Sequence, residues 1–109
     1  MNGREQQARL QRMADMVFDE RSARLRAAAE RRDALRLQID DLNHAPPAEA
    51  ADPAIAPFFF AYETWAAARR AEVNMQLAVA QADWLSRLDD VRQAFGRREV
   101  LERIARARK

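Results

Sequence analysis

Apolar residues recur along this chain at steps of three and four, and one proline-rich break divides the pattern. In the first half Leu10, Ala14, Val17, Leu25, Ala28, Leu35, Ile39 and Leu42 keep to one side of a helix. From Leu25 to Leu42 the steps fit the a and d positions of a heptad, provided Arg32 occupies one seam position. The second half carries Phe59, Tyr62, Ala66, Val73, Leu77, Ala80, Trp84, Leu88, Val91, Phe95 and then Leu101 or Ile104, a stronger face with an average close to 3.6 residues per turn. Between them the segment NHAPPAEAADPAIAP holds Pro46, Pro47, Pro53 and Pro57. Each proline removes a backbone donor and pushes the residue before it away from helical geometry, so no continuous helix crosses the segment.

These signals predict an all-α fold, an antiparallel two-helix coiled-coil hairpin forming a single domain over 1–109. Helix 1 is expected over about 5–43, a proline-rich loop over 44–57 and helix 2 over about 58–107, with Pro57 well placed as the first residue of the second helix. At ~1.5 Å per residue the two stretches would be rods of roughly 60 and 75 Å, which need a partner helix. Both termini are then expected at one end and the loop at the other. Few residues are β-branched and they do not run consecutively, which argues against a sheet. Glycine occurs only at Gly3 and Gly96. The second lies inside helix 2, where it marks a bend, a close contact or nothing.

Composition narrows the chemistry. There is no cysteine, so disulfides and thiolate sites are excluded. The one histidine, His44, sits beside the prolines and reads as a solvated helix-stop residue rather than a ligand. Ser22, Ser86 and Thr64 lack a plausible base, no glycine-rich phosphate loop is present, and two thin helices offer no pocket that excludes water. No enzyme, cofactor or metal site is expected. The N-terminal stretch is too polar for a signal peptide and no apolar run is long enough for a membrane span, which suits a cytoplasmic protein.

Charge is nearly balanced overall, 19 Lys plus Arg against 17 Asp plus Glu, but its distribution is uneven. From Gly96 onward, Arg97, Arg98, Arg103, Arg106, Arg108 and Lys109 face only Glu99 and Glu102, an excess of four positive charges. That segment either complements the negative end of a helix dipole or meets an acidic or phosphate-bearing partner. The cluster Phe58, Phe59, Phe60, Tyr62 and Trp65 spans too much of a helix circumference for one partner helix to cover. Its rings either wrap the hairpin onto Ile39 and Leu42 or act as interface anchors.

The second half resembles a known family. The run Ala61-Tyr62-Glu63-Thr64-Trp65, a gap holding Leu77 and Trp84, and then Val91 through Glu102 resemble the FliJ/YscO stalk proteins of flagellar and type III secretion export. The resemblance implies a two-helix stalk whose terminal end enters a hexameric export ATPase and promotes its assembly and activity. It also implies contact with a membrane export gate and export chaperones, and so peripheral association with a membrane apparatus. By position Trp65 matches the family's gate-contacting aromatic, with Arg69, Glu72 and Gln76 following on the same face. Phe58, Phe59 and Tyr62 join that patch, and polar groups stand where the family often has apolar ones. Arg97, Arg98, Arg103 and Arg106 would be offered to the ATPase. The competing readings are a generic coiled-coil adaptor or self-associating homodimeric scaffold, with Phe58 to Trp65 as the contact patch, and a nucleic-acid binder using the basic segment. The last is weakened by the lack of interleaved surface aromatics there.

Overall fold

A computed structural model describes residues 2–108 and shows an all-α helical hairpin: α1 over Gly3–Leu42 and α2 over Ala56–Ala107, packed against each other. A short 3-10 turn, Ala48–Ala51, lies in the connection. Both helices begin two residues earlier than the sequence pattern suggests, and each start has a local cause. Asn2 caps α1, its side-chain Oδ1 accepting from the Glu5 amide at 2.8 Å. Before α2, Asp52 folds an Asx turn, accepting from the Ala54 amide through Oδ1 at 2.9 Å and from the Ala56 amide through its carbonyl at 2.8 Å. Pro57 therefore falls at the second helical residue, still within the turn whose donors have no intrahelical acceptor.

Packing groups the chain into two compact units: a connection unit, Arg31–Gln81, and a terminal unit made of the chain up to Glu30 and from Ala82 onward. In the connection unit Leu35, Val73 and Ala80 are buried, with Ile39, Leu42 and Leu77 packed against them, and Ala66 is fully covered. The α1 C-terminus has no basic residue in its last turn. Arg70 of α2 supplies the missing donor, its Nη1 reaching the Leu42 carbonyl at 2.6 Å. Arg36 to Gln81 at 3.4 Å and Arg69 to Gln38 at 3.5 Å cross between the same two antiparallel segments.

The terminal unit is built differently. Its buried positions are alanines, Ala28 and Ala94, and polar groups do much of the crossing. Gln7 donates to the Leu101 carbonyl at 3.0 Å, Arg108 to the Gly3 carbonyl at 3.0 Å, and Arg21 pairs with Asp90 at 3.6 Å. Phe18 and Phe95 meet at a tilt of 53° with ring centroids 6.2 Å apart, and the Arg98 guanidinium lies 4.0 Å above the Phe18 ring.

Burial reveals a stricter repeat than the apolar residues alone suggest. On α1 the covered positions include Gln7, Ala14, Arg21, Ala28, Leu35 and Leu42, interleaved with Gln11, Phe18, Leu25, Arg32 and Ile39, and beside that seam Asp15, Ser22 and Ala29 are half-buried as well. On α2 they include Phe59, Ala66, Val73, Ala80, Arg87, Ala94 and Leu101, interleaved with Glu63, Arg70, Leu77, Trp84, Val91, Arg98 and Ala105, and flanking positions such as Gln81, Leu88 and Glu102 are half-buried beside them. Both sets are heptads with a period of 3.5 residues. Arg32 takes the seam position reserved for it. The looser 3.6 spacing fails at Tyr62, Phe95 and Ile104, which remain 50%, 46% and 42% exposed, and on α1 at Leu10 and Val17, 49% and 37% exposed. A strict heptad drifts away from an ideal helix by about 20° per repeat, enough to trade Phe95 for Ala94 and Arg98.

Candidate protein-binding surfaces

In the connection unit, the first turns of α2 leave a stripe of rings uncovered. Phe58, Tyr62 and Trp65 stand at i, i+4 and i+7 and are 75%, 50% and 56% exposed. Tyr62 and Trp65 touch each other, with ring centroids 5.7 Å apart. Phe59 turns into the seam and is half-buried, which separates it from the surface patch in which the sequence groups it. Phe60 is exposed on the other flank. Beyond the stripe, Arg69 pairs with Glu72 at 3.0 Å and also reaches Gln38, so this part of the face is closed by its own polar contacts.

The terminal unit divides the four arginines expected to act together. Arg97, Arg103 and Arg106 are exposed, and no carboxylate among the described residues lies within ion-pair distance of them. Arg98 is different: as a seam residue it lies over Phe18, and its Nε is buried without a hydrogen-bond partner. Only its neighbours are available to a partner. Lys109 lies outside the described residues.

Sequence reading from the C-terminal segment alone misses what α1 adds. Arg4, Arg9 and Arg12 are likewise exposed and free of ion pairs among the described residues. Leu10, Met13, Val17, Val100 and Ile104 are 37% to 53% exposed. Extending the Leu25–Leu42 heptad back toward the N-terminus would have found Leu10 and Val17, since it puts both at g positions flanking the seam. On α2 the same rule puts Arg97 and Ile104 at g, and g positions share one flank of an antiparallel pair.

Surface depressions in this unit are shallow and open; one is lined by Gly96, Arg97 and Val100. His44 is exposed, its Nδ1 held 2.9 Å from the Asp41 carbonyl. Among the described residues no group of three or more His, Cys, Asp or Glu side chains converges as a metal set, and no helix is long and apolar enough to cross a membrane. Comparison with protein-family models, curated proteins and solved structures finds no match.

Proposed function

We propose that the chain acts through protein contacts, as a stalk or adaptor of the FliJ/YscO kind that binds a hexameric export ATPase and favours its assembled, active form. The observation that carries this reading is the set of exposed arginines in the terminal unit, Arg97, Arg103 and Arg106, that form no ion pair among the described residues. Guanidinium groups with no internal partner present five donors each to carboxylates on another protein. The helical hairpin supports the reading as a scaffold, and Phe58, Tyr62 and Trp65 supply a second surface for an export gate or chaperone. Work at such an apparatus would place the protein in the cytoplasm beside a membrane.

The test is the hydrolysis rate of the export ATPase from the same organism. Intact chain should raise it several-fold, and an Arg97→Glu, Arg103→Glu, Arg106→Glu variant of unchanged helicity should not. Intact chain that neither binds nor stimulates the ATPase would remove the reading. The second reading, a coiled-coil adaptor or scaffold without an export role, is favoured by the aromatic stripe, whose rings suit any apolar groove.

A further inference from the structure

Two of the exposed apolar surfaces carry opposite charge. Between Leu37 and Ala68 there are five carboxylates and no arginine or lysine. Asp40, Asp41, Glu49 and Asp52 are all exposed and in no ion pair among the described residues; only Glu63 has a partner, Arg70 at 3.7 Å. The stripe Phe58, Tyr62, Trp65 belongs to this acidic segment. In the terminal unit, residues 2–17 and 92–108 hold nine arginines against four carboxylates, an excess of five positive charges. The exposed aliphatic residues Leu10, Met13, Val17, Val100 and Ile104 belong to that basic segment.

We infer that a second copy of this chain is the occupant of both surfaces: the acidic aromatic stripe of one copy docks on the basic aliphatic flank of another. Each side supplies what the other lacks. Rigid rings are effective interface anchors, and a methionine-containing aliphatic surface adapts to them. Gly96 lies in a shallow depression of this segment, and a Cβ built at that glycine would meet nothing within 4 Å, so no side chain stands in the way of an incoming ring there. Around the apolar contact, Arg9, Arg97 and Arg103 meet Asp40, Asp41 and Glu49 of the other copy. Like surfaces do not pair in this way, because stripe on stripe sets carboxylates against carboxylates and flank on flank sets arginines against arginines. The contact joins two different patches, so it is made reciprocally in a dimer or successively along a row of copies.

The experiment is sedimentation velocity on the full chain over a range of concentrations, at about 0.01 M and about 1 M salt, where the screening length falls roughly tenfold. Two charge-reversed variants accompany it, Arg9→Glu/Arg97→Glu/Arg103→Glu and Asp40→Lys/Asp41→Lys/Glu49→Lys, with circular dichroism confirming that each is as helical as the parent. The parent should associate at low salt, with a dissociation constant at least tenfold weaker at high salt. Each variant alone should be monomeric, and an equimolar mixture should recover association, as dimer or larger species. A parent that stays monomeric throughout overturns the inference. So does association that ignores salt and both reversals, which would assign the stripe to like-with-like apolar contact. A monomer that binds phosphatidylserine vesicles through its arginines would assign the basic flank to lipid instead. The inference does not rest on the ATPase reading: a monomer that stimulates the ATPase ends it and leaves that reading standing.

Discussion

Leu35 and Leu37 are two residues apart on the same helix and make the sharpest test of the seam. Leu35 is 2% exposed and packs with Val73 and Ala80, whereas Leu37 is 65% exposed. Truncating Leu35 to alanine withdraws three buried carbon groups, at about 0.8 kcal/mol each. A cavity adds to this, but a two-helix layer can close around the loss, so the total should be about 2.5 kcal/mol, low in the range for buried leucines. For a domain of this size that lowers the melting midpoint by roughly 10 °C. Leu37→Ala should change stability by no more than about 0.5 kcal/mol, since it removes surface that is mostly wet already. Urea unfolding followed by far-ultraviolet circular dichroism, at high salt to keep the chain dissociated, measures both. If Leu37→Ala costs as much as Leu35→Ala, the register is wrong and every assignment of a side chain to seam or surface in the connection unit falls with it.

Three further outcomes follow from the same register. Gly96→Ala should raise stability by about 0.8 to 1 kcal/mol, because the position is inside α2 and faces open space; a destabilised variant would show an unrecognised close contact. Arg98→Leu should equal or exceed the parent by up to about 1 kcal/mol, since it removes a buried Nε with no partner, while Arg98→Ala should lose roughly 1 to 2 kcal/mol of stacking and stem packing on Phe18. The reverse order in denaturant titration would mean the guanidinium itself stabilises the seam. Phe58→Ala and Trp65→Ala together should leave the urea midpoint nearly unchanged yet abolish low-salt association, and a large loss of stability would place those rings in the core.

The helices and their break were legible because four prolines in one short segment interrupt two proline-free runs, a pattern with few alternatives. The heptad from Leu25 to Leu42, with Arg32 admitted to it, was legible because Leu35, Ile39 and Leu42 mark it with large side chains. The terminal unit was harder to read because its seam is filled with Gln7, Gln11, Ala14, Arg21, Ala94 and Arg98 while Leu10, Met13 and Phe95 stay outside. A reading that ranks positions by hydrophobicity inverts such a seam, and only the spacing carried over from the leucines corrects it. The same inversion hid the role of Arg98, indistinguishable from Arg97 by composition. The division of Phe58 from Phe59 likewise depends on register and not on residue type.

The uneven seam has a kinetic consequence. Contacts in the connection unit join residues as little as 28 apart, Leu42 with Arg70, while the longest in the terminal unit span 94 and 105 residues. Closing the longest of these loops directly costs about 1.2 kcal/mol more chain entropy than closing the shortest, and the terminal seam offers alanine and polar groups in return. Folding should therefore start beside the prolines and zip toward the termini. Truncations at Leu35 or Val73 should slow refolding, whereas changes at Phe18 or Ala94 should mainly speed unfolding. On a ribosome, α1 would leave the exit tunnel whole and wait unpaired until Val73 and Leu77 of α2 follow it.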